Sequence, residues 1–220
     1  MEERAAPIAW LVKCYQRYLK DADTARFIQA VASRYSVATL ERVLLIGDVF
    51  RRRAAALALG FIGDYSSNDA LGPLLSDRDR KLRLVAEDAL RSIWSRDGSP
   101  DQRHQLDRIM RLNECGEYEE VVKLATELIE ANTSFSEAYH QRSLAYFHLD
   151  EVSAAIEDCR RVLQLNRYHY AAMIGLGHCH LELGDLLESL HWFRTALEVY
   201  PDLEPVRVQV RRLEIAIQEM

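Results

Sequence analysis

A 34-residue recurrence in the C-terminal half of the chain is the feature that most constrains its fold. Gly116, Asp150 and Gly184 stand at that interval, and each is followed by an acidic residue. Five residues beyond each of them lies a small or compact side chain, and the next residue is always aliphatic. Apolar residues recur at three- and four-residue steps on both sides, which is the pattern of amphipathic helices. The sequence therefore predicts three helical hairpins of equal length.

The hairpin pattern resembles the tetratricopeptide repeat, a pair of helices repeated every 34 residues. The most complete copy ends the series, and its matching residues are Leu176, Gly177, Gly184, Phe193, Ala196 and Pro201. The middle copy keeps Tyr139, Tyr146 and Ala155, and the first keeps Leu112, Gly116 and Tyr118. The resemblance covers residues 102–201 and implies a stack of hairpins, but it names no partner.

A second recurrence, with an offset of 31 residues, lies upstream. The matched pairs are Leu40 and Leu71, Leu44 and Leu75, Asp48 and Asp79, Arg52 and Arg83, Ala55 and Ala86, Leu59 and Leu90, and Ile62 and Ile93. Each copy predicts a helix, a turn with an acid, and a second helix. Residues 36–95 resemble the short HEAT-like repeats of phycobilisome lyases. Small residues such as Ala55 and Gly60 would let neighbouring helices approach closely.

These patterns predict an all-α fold, an α-solenoid of HEAT-like repeats followed by three tetratricopeptide repeats and a capping helix over residues 203–219. Helices are also expected over residues 6–19 and 23–34. Nine Gly, five Pro and the lack of alternating strand patterns agree with this. The segment around Gly98 and Pro100 breaks the helical pattern. We therefore expect two domains, residues 1–96 and residues 102–220.

Charge is unevenly distributed between the two halves. Residues 1–100 hold 16 Lys and Arg against 13 Asp and Glu, a net charge of +3, and residues 101–220 hold 12 against 21, a net charge of −9. An acidic repeat region argues against nucleic acid and favours a basic partner. No apolar run approaches a membrane span, and the four cysteines form no CxxC pair. These features predict a cytoplasmic protein without membrane association.

No catalytic motif is present, so the sequence predicts a protein that is not an enzyme and uses no cofactor. His178, Cys179 and His180 are the most suggestive metal ligands. Successive helical residues point about 100° apart, so the three cannot face one ion. We therefore predict no metal site.

Basic residues cluster at equivalent turns of the two HEAT-like units, where they could form an anion patch: Arg51, Arg52, Arg53, Arg80 and Lys81. The family resemblance implies instead that Arg52 pairs with Asp48 and Arg83 with Asp79. No aromatic residues interleave this cluster, which also argues against nucleic-acid binding.

The tetratricopeptide resemblance implies that the first helix of each hairpin lines a concave groove. The expected groove residues are Leu106, Met110, Asn113, Glu137, His140, Gln141, Leu144, Phe147, Ile174, His178 and Leu181. Apolar anchors edged by polar groups suit a peptide or an amphipathic helix. The sequence therefore predicts a non-catalytic protein–protein interaction scaffold with Phe147 as its anchor. Chaperone-binding members clamp a carboxylate with Lys, Asn and Arg, whereas here the matching residues are Leu106, Met110, Ala171 and Gly175.

Two alternatives stay open at this point. The HEAT-like repeats could belong to an enzyme or assembly factor, either bilin-lyase-like or nucleic-acid-binding. The mainly Ala and Leu side chains of their second helices argue against an enzyme. The chain could also be a structural adaptor that associates with itself as a homo-oligomer.

Overall fold

The computed structural model describes residues 7–219; residues 1–6 and 220, which the predicted first helix and both predicted domains include in part, lie outside it. This part of the chain contains thirteen α-helices, two short 3₁₀ turns and no strand. The prediction of an all-α fold is confirmed. The helices form two compact units, the first ending at Trp94 and the second beginning at Ser95.

Four helices open the first unit: α1 (Pro7–Asp21), α2 (Thr24–Ala32), α3 (Val37–Ile46) and α4 (Val49–Ile62). The side chains of Asp23, Ser36 and Asp48 each accept a hydrogen bond from a backbone N–H in the first turn of α2, α3 and α4. Such caps satisfy donors that a helix start leaves without partners. The acidic and hydroxyl residues between the apolar runs therefore set where these helices begin.

The second HEAT-like copy departs from the prediction in its first helix. A continuous helix was expected, but a 3₁₀ turn (Tyr65–Ser67) leads into a short α5 (Asn68–Leu71) and a second 3₁₀ turn (Gly72–Ser76). Pro73 lacks a backbone N–H and cannot donate to the carbonyl oxygen four residues earlier, which interrupts the α-helix and leaves a 3₁₀ turn. The second helix of the copy, α6 (Arg80–Ser95), is continuous.

The matched apolar positions of the two HEAT-like copies are nevertheless buried, except for Ile62, which is half-buried. Leu40, Leu71, Leu75, Ala55, Ala86, Leu59 and Leu90 have no exposed surface, and Leu44 has almost none. A Cβ atom added at Gly60 would lie 2.9 Å from Cα and Cβ of Ala89. The small residue at position 60 thus permits a close approach between α4 and α6.

The second unit is a series of helical hairpins. Its seven helices are α7 (Pro100–Cys115), α8 (Tyr118–Ala131), α9 (Ser136–His148), α10 (Val152–Leu165), α11 (Tyr170–Glu182), α12 (Leu186–Val199) and α13 (Glu204–Gln218). The starts of α8, α10 and α12 are 34 residues apart, and so are those of α9, α11 and α13. The sequence period is therefore the period of the structure.

The three hairpin turns share one geometry. Gly116, Asp150 and Gly184 all have positive φ, at +80°, +60° and +76°. After each of them the next backbone N–H bonds to the carbonyl oxygen five residues earlier, on Leu112, Tyr146 and His180. This is the helix-ending arrangement that glycine favours. It explains why two of the three turns carry glycine.

Two apolar clusters fill the second unit. The larger one joins the three hairpins, from Leu106 on α7 to Cys179 on α11. The smaller one packs Leu190 and Phe193 of α12 against Val206, Val210 and Leu213 of α13. The last helix therefore covers the third hairpin. No helix of the described residues is long and apolar enough to cross a bilayer.

Candidate functional site

The helices α7, α9, α11 and α13 present equivalent side chains at 34-residue intervals, and we call this surface the first-helix face. Three sets of positions define it: Leu106, His140, Ile174 and Val208; Met110, Leu144, His178 and Arg212; and Asn113, Phe147, Leu181 and Ile215. All predicted groove residues lie on it except Glu137 and Gln141, which flank it on α9.

Within the first of these three sets, exposure rises toward the C terminus. Leu106 has no exposed surface, His140 is 9% exposed, Ile174 is half-buried and Val208 is 38% exposed. Leu106 thus belongs to the core and cannot contact a partner. The half-buried or exposed residues among those predicted are Met110, Asn113, Leu144, Phe147, Ile174, His178 and Leu181.

An N-terminal cleft of about 300 Å³ lies between α7 and α9. Its walls include the apolar side chains of Met110 and Leu144 and the polar side chains of Asn113 and Glu114. The rings of Tyr118 and His148 stack beside it, with centroids 4.5 Å apart. The cleft offers a small apolar surface beside a carboxylate.

A buried hydrogen-bond network fills the space between α9 and its neighbours. Nδ2 of Asn113 donates to Oε1 of Gln141 at 2.8 Å, and Nε2 of Gln141 donates to Oε1 of Glu137 at 2.9 Å. Nε2 of His169 lies 3.3 Å from Oε2 of Glu137, and Nδ1 of His169 accepts the N–H of Ala172 at 3.2 Å. The network ties α7, α9 and α11 together.

Burial and hydrogen bonding act in opposite directions on Glu137. Burial raises the pKa of this carboxyl, but the hydrogen bonds from His169 and Gln141 and the nearby imidazoles outweigh it and bring the pKa to about 2. For His140, burial lowers the pKa to about 4. At neutral pH the network therefore holds an ionised carboxylate beside an uncharged His140 imidazole.

Glu137, His140 and His169 are the candidate metal ligands in the described part of the chain, with their ligand atoms within 4.8 Å of one another. Since Nδ1 of His169 accepts a hydrogen bond from the backbone N–H of Ala172, the imidazole proton lies on Nε2 and points to Glu137. A metal needs the Nε2 lone pair, so binding would break this arrangement. The geometry favours a hydrogen-bond network over a metal centre, and the absence of metal stays a prediction that elemental analysis can test.

A C-terminal cleft of about 480 Å³ lies between α11, α12 and α13. Its lining residues are Ile174, His178, Phe193, Leu203, Pro205, Val206, Val208, Gln209 and Arg212. The sequence predicted Ile174 and His178 as groove residues but predicted α13 only as a capping helix. Adding 34 to positions 174 and 178 gives Val208 and Arg212, so the repeat register already contained the missing wall.

The three residues at positions 178–180 face different surroundings. His178 lines the C-terminal cleft, whereas Cys179 and His180 are buried. Burial raises the pKa of Cys179 to about 11, and it raises that of Cys159 to about 12. Neither thiol is reactive at neutral pH, because the thiolate is the nucleophilic form.

Arg52 and Arg53 of the predicted anion patch are engaged in ion pairs, and the partner of Arg52 differs from the expected one. Arg52 donates to Asp77 at 2.6 Å rather than to Asp48, and Arg53 holds both carboxylate oxygens of Asp79. A guanidinium of Arg83 donates to the carbonyl oxygen of Asp77. Arginines of the first HEAT-like copy thus pair with acidic residues of the second copy. The 31-residue offset does not reveal such long-range pairs.

Three of the five patch residues, Arg51, Arg52 and Arg53, form ion pairs with aspartates of the same unit. Arg51 lies 3.2 Å from Asp48, and the side chains of Arg52 and Arg53 are largely buried. Lys81 is exposed at the start of α6. The ion pairs account for most of the cluster without a bound anion.

Comparison with known proteins agrees with this geometry. The family model described as "Tetratricopeptide repeat" matches residues 136–169 and 170–203. The first tetratricopeptide domain of Spaghetti (RPAP3), solved bound to the HSP90 peptide SRMEEVD, superposes with a TM-score of 0.53 at 22% identity, covering 55% of this chain and 96% of that domain.

A structure of the first tetratricopeptide domain of human RPAP3 gives a TM-score of 0.51 at 22% identity, covering 54% of this chain and 93% of the other. At this identity the likeness concerns the fold. The HEAT-like resemblance of residues 36–95 remains an interpretation of the sequence.

Proposed function

We propose that this chain, whose residues 136–203 are tetratricopeptide repeats, is a non-catalytic interaction scaffold that binds a segment of another protein across the first-helix face. The observation that supports it is the pair of clefts on one face of a repeat stack, each with accessible apolar side chains. Apolar surface left open on a folded protein marks sites of interaction. An extended peptide or an amphipathic helix fits such a face.

The predicted groove residues divide into two roles. Leu144, Phe147, Ile174 and His178 offer surface to a partner, whereas Glu137, His140 and Gln141 are buried and hold neighbouring helices in place. Phe147 lies beside His178, with ring centroids 6.4 Å apart, and so joins the regions around the two clefts. We propose it as the central anchor, because aromatic residues often dominate interface energies.

Charge supports a partner segment that is basic over most of its length. The net charge of −9 over residues 101–220 attracts cations and speeds association at low salt. The RPAP3 domain binds a peptide with acidic residues, but this chain has Leu106 and Met110 at clamp positions. We therefore propose a partner of different chemistry from that peptide.

Paired substitutions on and off the face test the proposal. Leu144→Glu places a charge in the N-terminal cleft, and Phe147→Ala removes the anchor. The control is Leu187→Glu, the same change at an exposed leucine of α12. A partner cross-linked and identified with the parent protein should bind about tenfold or more weakly to the two face variants and equally well to the control.

Equal affinity of the face variants and the parent, at equal melting temperature, would place the binding surface elsewhere. We also propose that the protein has no catalytic activity, uses no cofactor or metal, and is cytoplasmic. The alternative of self-association predicts a molar mass that rises with concentration in light scattering, and a monomer at all concentrations would dismiss it.

A further inference from the structure

The C-terminal cleft differs in chemistry from the rest of the second unit. Phe193, which is fully buried, forms its floor, and Ile174 and Val208 form apolar walls on α11 and α13. His178 packs edge-on against Phe193, with centroids 5.0 Å apart. Its pKa is lowered by burial, so it adds no charge at neutral pH. Arg212 is then the charged side chain among the lining residues.

Arg212 is available to a ligand, unlike two neighbouring arginines. Arg194 donates to Glu214 at 2.6 Å, and Arg207 donates to Glu204 at 2.5 Å. Arg212 is exposed on α13 and makes no ion pair with any residue from 7 to 219. A free guanidinium at the rim of an apolar cleft favours a carboxylate next to an apolar group.

The N-terminal cleft carries the opposite charge. Glu114 is exposed at its edge and makes no ion pair within the described residues. The exposed Glu114 carboxylate accepts hydrogen bonds, so this end of the face favours a donor such as a lysine or arginine side chain.

We propose that the C-terminal cleft binds a large apolar side chain of the partner segment with an aspartate or glutamate beside it, so that the segment lies in one direction, its basic end at Glu114. This rests on the proposed function of the first-helix face and names the chemistry of its ligand. Opposite charges at the two ends give orientation, while contact of the apolar side chain with Ile174 and Val208 gives affinity.

Selection from a displayed library of random 16-residue peptides against the full chain tests this. Peptides selected by the parent should carry an acid within about four residues of a large apolar residue. Parallel selections use Arg212→Glu, Val208→Asp and, as control, Arg211→Glu, the same charge reversal at the adjacent exposed arginine. Melting curves confirm that each variant is folded.

We expect peptides chosen by the parent to bind roughly tenfold or more weakly to Arg212→Glu and Val208→Asp, and equally well to Arg211→Glu. Selection with Arg212→Glu should replace the acid by lysine or arginine. A peptide with the same residues in reverse order should bind roughly tenfold more weakly.

Two failures can be told apart. Peptides that bind Arg212→Glu and Val208→Asp as well as the parent, but lose binding to Leu144→Glu, would overturn this inference and leave the proposed face intact. A library that yields no binders, or binders indifferent to every substitution on the face, would overturn both.

Discussion

His140 is an imidazole held at a position where the neighbouring repeats carry Leu106 and Ile174. Its Nδ1 atom is buried and has no hydrogen-bond partner. Burial lowers its pKa from 6.5 to about 4, so the folded chain keeps it neutral while the unfolded chain binds a proton below pH 6.5. Its contribution to stability is full above pH 6.5 and is lost as the pH falls toward 4.

Replacing His140 by leucine should therefore make the second unit less sensitive to acid. Between pH 7.5 and 5 the parent should lose on the order of 1–3 kcal/mol that His140→Leu retains, measured by thermal melting at both pH values. His104→Leu, at an exposed position of α7, serves as the control. Glu137 acts at lower pH, because its contribution is full above its ordinary pKa of 4.5 and is lost toward about 2. An equal acid loss in parent and His140→Leu would contradict the assignment.

For individual residues, the sequence predicted which ones share a position in the repeat, but it did not predict how deeply each of them is buried. A 34-residue offset places Leu106, His140, Ile174 and Val208 on one face, yet their exposure ranges from none to more than a third. Burial depends on which helices lie on either side of each residue, and the offset carries no such information. The same holds for Arg52, whose partner Asp77 is 25 residues away in a different turn.

The turn between α9 and α10 is an element whose geometry suits glycine better than the residue it has. Asp150 holds φ at +60°, in the place where the other two turns carry glycine. Asp150→Gly should stabilise the chain by about 0.5–1 kcal/mol, and Asp150→Ala should destabilise it by a similar amount. Chemical denaturation measures both. A loss of stability in the glycine variant would mean that the Asp150 side chain makes a compensating interaction.

Helix α13 serves both as the cover of the third hairpin and as a wall of the C-terminal cleft. Deleting residues 203–220 should expose Leu190 and Phe193 and cause aggregation, seen by light scattering and by binding of an apolar dye. In the full chain, Val210→Asp should act in the same direction, whereas Arg211→Asp on the exposed side should not. A truncated chain that stays monomeric with full helicity would show that the cover is dispensable.

The sequence was most informative about the positions of the helices. The predicted helix of residues 203–219 is α13 at Glu204–Gln218, and the break near Pro100 is the start of α7. The failure at α5 has a local cause, since Pro73 interrupts a helix that the apolar spacing alone predicts. Periodicity reports which side of an element is apolar, and it is insensitive to one residue that lacks a backbone donor.

At the scale of the whole molecule, the distribution of charge and the packing divide the chain at nearby positions. The first hundred residues carry a net charge of +3 and the remainder −9, and the boundary between the two compact units falls nearby in the sequence, between Trp94 and Ser95. Each unit has its own buried residues, which suggests that binding by the first-helix face needs only the second. Salt should weaken that binding, because the acidic unit supplies the attraction.

A fragment of residues 95–220 should therefore fold alone, with a cooperative melt and with the peptide affinity of the full chain. Its start matters, because Ser99 caps α7 and Gln102 completes a reciprocal capping box. A fragment of residues 102–220 removes that cap and the first residues of α7, and it should be less stable by about 1 kcal/mol or more. Circular dichroism during heating compares the two. If the longer fragment lacks helical structure, or the shorter one equals it in stability, the second unit either depends on the first or begins later than Ser95.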